Sequence, residues 1–455
     1  MPGKLLTRPR AFAQGALTKV SEQGRGLLVP AKLRALDKTR ERGRPRPILE
    51  RALTFALSRR WHGGANPRDR SAYGLWLAIF IFAHTVRGWA SNADPDVASP
   101  KFLGAQSCSS SSCHGGAGNN RNQYLVWSTR DFHHLRPYAT LETARAERIA
   151  EVLRIANPVQ NQRCTVCHAP FHTVPAGQLR QEAKISEGVS CENCHGPSEN
   201  WLRSHTRPDW STEDRVHAGM RDLRNLYVRA NTCVACHQNV DSDLQQAGHP
   251  ELIFELDGQA VSQPRHGRRS MDKPGPQIWL VGQAVALREM SWQLAREKSP
   301  SDKLAARAAG LFWLVQAASK AEVQWPQIEP DAFAPSADQL EKVQLWSDQF
   351  AKGVSEFRWS EEQTWKCLAL LAGTGAVFGE TRLPAPLHAR RAERLVLGLD
   401  RLVTGLGSVA ADPGLNRALE RLFDAAQSLP DFDPNQFADN LKEFHAGVSR
   451  ILDSR

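Results

Sequence analysis

Four pairs of cysteines, each followed directly by a histidine, are the residues of this sequence whose type and spacing point to chemistry. In three pairs two residues separate the cysteines, and in the first pair four residues do. Two such thiols can form thioethers to the vinyl groups of one porphyrin, and the adjacent histidine then ligates its iron. The pattern therefore predicts four covalently attached c-type haems. The cysteines and proximal histidines are Cys108, Cys113 and His114; Cys164, Cys167 and His168; Cys191, Cys194 and His195; and Cys233, Cys236 and His237.

Zinc is the first alternative to haem at these motifs. Paired Cys-x-x-Cys segments also form four-cysteine zinc sites. Such sites need no histidine after every second cysteine, whereas all four pairs here have one, so the pattern favours haem. The wider spacing of Cys108 and Cys113 leaves a local disulfide as an alternative for that pair. The ninth cysteine, Cys367, lies in an apolar stretch and is expected to be a buried thiol.

The sixth ligand of each iron decides whether the haems carry electrons or bind a substrate. Iron with two histidine ligands is saturated and suits electron transfer, whereas an open site suits catalysis. Methionine ligation is not expected, because three of the four methionines lie outside the motif region. Four further histidines would fill every distal position, and seven are present. They are His133, His134, His172, His205, His217, His249 and His266.

The elements that position these residues are expected to be helices, in a mostly α fold. Over residues 94–270 we expect a multihaem cytochrome c domain of short helices and loops wrapped around stacked haems, with almost no sheet. The polypeptide alone should be largely unfolded, because the haems would supply the buried apolar surface. Residues 271–455 predict a helical bundle. Its helices are expected near 278–294, 305–323, 360–373, 386–406, 415–429 and 435–452.

The positive charge of the chain is concentrated at its start. Residues 1–70 hold 17 Lys and Arg against 5 Asp and Glu, a balance of +12 against +10 for the whole chain. The remainder is therefore close to −2, which excludes reading the charge as nucleic-acid binding by the folded part. We expect residues 1–71 to be a disordered leader. Residues 72–93 have the form of a signal peptide, with an uncleaved membrane anchor as the alternative.

The phrases around the motifs resemble those of the multihaem cytochrome c-554 and c-prime family, over about residues 100–290. The resemblance implies a periplasmic tetrahaem electron carrier that works with redox partner proteins. The phrases are Phe102-Leu-Gly-Ala-Gln-Ser-Cys108, Gly188-Val-Ser-Cys-Glu-Asn-Cys-His-Gly-Pro197, Trp201-Leu-Arg-Ser-His205, Cys233-Val-Ala-Cys-His237 and Gly248-His-Pro-Glu-Leu-Ile-Phe-Glu255.

The same resemblance implies distal ligands at His205 and His249. The stretch from Trp127 to His134 looks like a third donor, with His134 as the candidate, although the adjacent His133 leaves that choice open. His266 is the fourth candidate. The reserves are His172 and His217.

We therefore predict a tetrahaem c-type cytochrome that carries electrons between redox partner proteins. These partners can include membrane-bound proteins. It is expected in the periplasm, or anchored in the inner membrane and facing the periplasm. The alternative is a haem oxidoreductase that acts on a small nitrogen or sulfur oxo-species at one five-coordinate haem, because the resembling family includes members with such a haem. A third hypothesis is a sensor or assembly subunit whose C-terminal helices recruit a partner.

Overall fold

The fold is helical throughout the part of the chain that the structure describes. Among the residues that the structure describes, an isolated parallel bridge between Phe102 and Leu179 is the only β-type pairing. This confirms the prediction of a mostly α protein. The predicted leader (1–71) and the predicted signal or anchor (72–93) lie outside the described residues. The computed structural model describes residues 99–118, 121–264, 275–297, 300–321, 335–380, 383–407, 412–427 and 431–455.

Short helices separated by loops make up the segment that carries the four motifs, as predicted. Single 3-10 turns connect several of them, at Ala105–Cys108, Pro158–Gln160, Pro170–Thr173, Ala176–Gln178 and Ile185–Glu187. The α-helices are α1 (Gln123–Thr129), α2 (Phe132–Leu135), α3 (Pro137–Thr140), α4 (Ala144–Leu153), α5 (Gln162–His168), α6 (Cys191–His195), α7 (Thr212–His217), α8 (Leu226–His237), α9 (Ser242–Gln246) and α10 (Leu256–Ser262).

Longer helices follow, and the six that the sequence predicts all occur within four residues of the predicted bounds. One helix, α13, is not among them, although Ser336 and Gln339 form a capping box at its start and that spacing was a usable signal. Cys367 is fully buried in α14, as expected. The helices are α11 (Gly275–Arg296), α12 (Asp302–Ser319), α13 (Ala337–Glu356), α14 (Glu361–Ala372), α15 (Ala385–Gly405), α16 (Pro413–Gln427) and α17 (Pro434–Asp453). None of the helices in the described ranges is long and apolar enough to cross a membrane.

Polar side chains fix where the motif helices begin. The Asn161 side chain accepts a hydrogen bond from the Arg163 N–H at the start of α5. At the start of α8 the Asn225 side chain accepts from the N–H groups of Tyr227 and Val228. Caps of this kind satisfy backbone donors that the first helical turn leaves free, and each contributes about 1 kcal/mol. They also set the point at which each motif emerges at the opposite end of its helix.

One buried apolar cluster continues across the boundary predicted at residues 270 and 271. Three residues of α8, Leu226, Ala230 and Val234, recur every fourth position and join the same cluster as the long helices. Phe254 and Leu256, which follow the candidate ligand loop, join it too. All described residues fall in one compact unit, Ala93–Arg455. The contact between the motif segment and the long helices therefore resembles a domain core.

Polar contacts reinforce this junction. The Arg288 guanidinium on α11 donates to the Asn231 side chain on α8 at 2.6 Å and forms an ion pair with Asp348 on α13. The Tyr227 hydroxyl on α8 donates to the same Asp348 carboxylate at 2.7 Å. Arg288 and Asp348 thus link three helices, one of which carries the fourth motif.

Candidate haem sites

Three of the four motifs occupy the last turn of a helix. The helices α5, α6 and α8 end at His168, His195 and His237. In each motif the cysteines are three residues apart and the histidine is four residues after the first cysteine, so all three side chains project from one face of the helix. This common face is what a porphyrin bound through two thioethers and one axial imidazole requires.

The first motif reaches an equivalent arrangement without a helix. The His114 N–H donates to the Cys108 carbonyl at 3.2 Å. In a helical Cys-x-x-Cys-His motif the histidine N–H bonds the same carbonyl, four residues back. The turn from Ser109 to Ser112 packs so closely on Gly115 that a Cβ there would clash with the Ser109 carbonyl oxygen. Cys108 and Cys113 are both free thiols, so the local disulfide is not formed in this structure.

Deleting Ser110 and Ser111 should leave haem attachment at the first motif intact. The deletion converts the motif to Cys-x-x-Cys-His, and the backbone bond between the histidine and the first cysteine keeps its ends in place. Intact-mass analysis should find as many haems in the deletion variant as in the unmodified protein. Cys113→Ala is the control, because it removes one thioether. Loss of one haem from the deletion variant would contradict this account of the motif.

Thiols of different motifs lie next to one another. The Cys191 thiol is in hydrogen-bond contact with Cys108, which lowers the pKa of Cys108 and raises that of Cys191. The Cys236 thiol stands in the same relation to Cys167, lowering the pKa of Cys167 and raising its own. The first motif therefore adjoins the third, and the second adjoins the fourth.

The third and fourth motifs are also close enough to interact. Burial, with an added contribution from the neighbouring Cys194 and against a smaller opposing effect of Arg229, raises the pKa of Cys233 to about 12. Two thiol contacts and the proximity of Cys194 to Cys233 therefore place the motifs in the order first, third, fourth, second.

Three proximal histidines face a candidate distal histidine. The ring centroids are 6.0 Å apart for His114 and His205, and 6.3 Å apart for His168 and His249. With metal–nitrogen bonds of about 2 Å, two imidazoles on opposite sides of one iron have centroids about 6 Å apart. The residues present therefore fit a bis-histidine iron at each of these two pairs.

The third pair involves two adjacent histidines on α2. The centroid of the His237 ring lies 6.3 Å from that of His134 and 5.4 Å from that of His133. The ligand nitrogens of all three lie within 4.8 Å of one another. Burial, together with the two neighbouring rings, lowers the pKa of His237 to about 4, so its imidazole is neutral near pH 7 and able to bind a metal.

Hydrogen bonds at Nδ1 orient most of these rings and leave Nε2 free. His114 Nδ1 lies 2.9 Å from Gln123 Oε1, and His168 Nδ1 lies 2.9 Å from the Pro137 carbonyl. His205 Nδ1 lies 2.8 Å from the Leu202 carbonyl. A carbonyl oxygen can only accept, so Nδ1 carries the proton there and Nε2 is the available ligand atom.

At His249 and His134 the Nδ1 atom is also hydrogen-bonded, so Nε2 is again the available ligand atom. His249 Nδ1 lies 2.8 Å from the Pro250 carbonyl, and His134 Nδ1 lies 2.9 Å from a carboxylate oxygen of Asp131. Burial raises the pKa of Asp131, but the hydrogen bonds from His134 outweigh it and keep that carboxyl ionised. A carboxylate at Nδ1 makes an imidazole a better ligand. This contact distinguishes His134 from His133.

The remaining histidines have other surroundings. His195 closes α6, and its carbonyl accepts the Arg221 N–H at 2.9 Å. The fourth distal candidate, His266, lies outside the described residues. His172 Nδ1 lies 3.1 Å from the Thr165 hydroxyl of α5. His217, the other reserve, is an exposed residue at the end of α7.

Two glycines allow backbone segments to meet around the third motif. Gly188 has φ +68°, and a Cβ there would lie 2.8 Å from the His134 carbonyl oxygen. The next residue, Val189, donates its N–H to that same carbonyl at 2.8 Å and accepts from the Trp127 indole at 3.0 Å. Gly196 has φ +87°, and a Cβ there would lie 2.4 Å from the Gly219 carbonyl oxygen. The third motif is therefore packed against the segment that carries His134, the candidate distal ligand for the fourth motif.

A buried carboxylate inside the third motif binds the chain that leads to the first. Glu192 has no exposed surface, and its carboxylate accepts the N–H groups of Leu103 at 3.0 Å, Gly104 at 2.6 Å and Ser198 at 2.7 Å. Glu187 accepts the Ala105 N–H at 2.9 Å. Sequence reasoning did not single out either residue, because the two positions between motif cysteines can be of any type and the bonded backbone lies more than 80 residues away. Asp131 was detectable in principle, since it caps α2 three residues before His134.

Comparison with known proteins supports this assignment in part of the chain. Residues 107–196 match the family of cytochrome c554 and c-prime. The matched segment contains the first three motifs, while the fourth lies beyond it. No curated protein and no solved structure gives a significant match. In residues 107–196 this protein is therefore similar to the multihaem cytochromes c, which supports haem c binding and electron transport by a c-type cytochrome.

Proposed function

We propose that this protein is an exported tetrahaem c-type cytochrome that passes electrons between redox partner proteins in the periplasm. The observation that carries the proposal is the pairing of three proximal histidines with three other histidines at centroid separations of 6.0 to 6.3 Å. In each pair the distal candidate has its Nδ1 engaged, which leaves its Nε2 as the atom available to an iron.

The proposed distal ligands follow from this pairing. His205 serves the haem of the first motif, His249 that of the second, and His134 that of the fourth. His266 is the candidate for the third. When bound, each haem supplies an iron that cycles between the ferric and ferrous states. The histidines hold the coordination closed, and the Asp131 carboxylate increases the donor strength of His134.

The contacts between motifs support a path for electrons. Because the Cys108 thiol is in hydrogen-bond contact with Cys191, and the Cys167 thiol with Cys236, haems attached at these motifs would be neighbours. Cys194 is near enough to Cys233 to raise its pKa, so haems of the third and fourth motifs would also lie close together. Four neighbouring haems would supply a continuous path for electrons between redox partners.

Periplasmic location rests on the chemistry of attachment. Covalent attachment of haem takes place outside the cytoplasm in bacteria and needs thiols that are reduced. The apolar run within residues 72–93 is the proposed export signal.

Low-temperature EPR of the oxidised protein, with intact-mass analysis, tests the proposal. We expect four haems, and low-spin ferric iron at each of the three paired sites. Substituting His205→Ala or His249→Ala should each convert one haem to high-spin, while His217→Ala, at an exposed histidine, should change nothing. A polypeptide heavier by zinc alone would disprove haem attachment. A high-spin haem in the unmodified protein would favour the oxidoreductase alternative.

A further inference from the structure

The segment that follows His249 and includes the first two residues of α10 is held by arginines of the long helices. It runs through Pro250 and Glu251 to Glu255 and Asp257, and three of its side chains are carboxylates. Each carboxylate is paired with an arginine from α12 or α15. We call residues 250–257 the ligand strap. It connects the proposed distal ligand of the second haem to the C-terminal helices.

Arg307 on α12 holds the start of the strap, directly after His249. Its guanidinium pairs with the Glu251 carboxylate at 2.7 Å and donates to the Leu252 carbonyl at 2.7 Å. Arg307 is only 5% exposed, and Glu251 also pairs with Lys303. Two contacts from one buried side chain to adjacent residues fix both the position and the direction of the backbone.

Arg394 on α15 holds the middle of the strap. It donates to the Glu255 carboxylate at 2.9 Å, and the Gln283 amide of α11 donates to the other carboxylate oxygen at 2.9 Å. Asp257 pairs with Arg401, also on α15. Burial raises the pKa of Glu255 to about 7 against the opposing effect of Arg394, so the two hydrogen bonds from Arg394 and Gln283 hold this part of the strap in place.

Packing leaves the strap little room to shift. Phe254 and Leu256 each expose at most 1% of their surface. A Cβ at Gly282 of α11 would lie 2.8 Å from the Leu256 Cβ, so helix and strap are in close contact. The Phe254 N–H donates a hydrogen bond to the Gln238 side-chain oxygen at 3.3 Å. Gln238 directly follows His237, the proximal histidine of the fourth motif.

We propose that Arg307 and Arg394 are positioning residues for the axial ligand His249, so that the C-terminal helices set the coordination of the second haem. This inference rests on the proposed function, in which His249 is a distal ligand. Without the arginines the strap relaxes, and the imidazole moves away from the site opposite His168. The expected consequence is specific to one haem of the four.

The matched test compares two buried arginines one turn apart on α15. Arg394→Met breaks the contact with Glu255. Arg391→Met removes an arginine that is equally buried, at 8% exposed against 6%, but whose Nε and Nη1 have no hydrogen-bond partner. We expect Arg394→Met, and more strongly Arg307→Met, to convert one haem equivalent from low-spin to high-spin in the EPR spectrum. Arg391→Met should keep the wild-type spectrum.

Added imidazole separates positioning from a general loss of structure. It should restore the low-spin signal in Arg307→Met and in His249→Ala, because it can occupy the vacated axial site. Wild-type spectra for both Arg307→Met and Arg394→Met, or equal effects of Arg391→Met and Arg394→Met, would overturn the inference. If Arg307→Met yields no folded protein, Glu251→Gln provides the milder change with the same readouts, and loss of all haems there would also overturn it. If His249→Ala itself stays fully low-spin, the proposed ligand set is wrong rather than the role of the arginines.

Discussion

Truncation after residue 270 is expected to cost the protein the haem proposed at the fourth motif and most of its stability. The truncation exposes Leu226 and Val234 of α8 together with Phe254 and Leu256, all of which are buried against the long helices. Exposing four such side chains costs on the order of 6–12 kcal/mol. This is comparable to the whole stability of a typical domain. The C-terminal helices are therefore expected to support the haem segment, beyond any docking role.

Intact-mass analysis and thermal unfolding followed by haem absorbance measure the effect. Point variants give a graded version of the same experiment. Leu226→Ala should destabilise the protein by about 2–5 kcal/mol, because it opens a cavity between α8 and the long helices. Leu345→Ala on α13 is the control, since that leucine is 60% exposed and its loss should change stability by less than about 0.5 kcal/mol. A truncated protein that retains four haems and the wild-type spin state would show that α8 needs no partner helices.

The sequence was sufficient for the local features of this protein. The cysteine and histidine spacing identified all four motifs, and helical periodicity identified six of the seven long helices. Both signals are local, because the residues that produce them lie within one or a few turns of each other. The helix that was missed, α13, begins at Ser336 with a capping box, which is also a local signal.

The contacts that organise the motifs relative to one another were not predictable in this way. Arg307 meets Glu251 from more than 50 residues away, and Arg394 meets Glu255 from 139 residues away. Arginine and glutamate occur throughout the surface of most proteins, so their types alone give no indication of which pairs are buried. The choice between His133 and His134, by contrast, had a local signal, because Asp131 caps α2 three residues before His134 and its carboxylate contacts that ring.

Glu192→Ala is expected to disrupt the packing of the first motif against the third. The variant leaves the N–H groups of Leu103, Gly104 and Ser198 without their acceptor in a buried site. Each unsatisfied buried donor costs about 1–3 kcal/mol, so the unfolding free energy should fall by roughly 3–9 kcal/mol. Because Leu103 and Gly104 lead directly into Cys108, the loss should fall on the haems of the first and third motifs.

Glu192→Gln and Glu199→Gln make this expectation specific. The amide in Glu192→Gln keeps one acceptor oxygen but turns its own N–H groups toward backbone donors, so its effect should be intermediate. Glu199 accepts the Lys101 N–H at 2.9 Å at the half-buried start of the same segment and pairs with the exposed Arg180. Glu199→Gln keeps an acceptor oxygen for that N–H and should have little effect. The measurements are the haem count, the melting temperature and the reduction potentials of the individual haems. A Glu192→Ala protein with wild-type melting and unchanged potentials would mean that the thiol contact between Cys108 and Cys191 forms without this carboxylate, and the attached haems themselves would then have to hold the two motifs together.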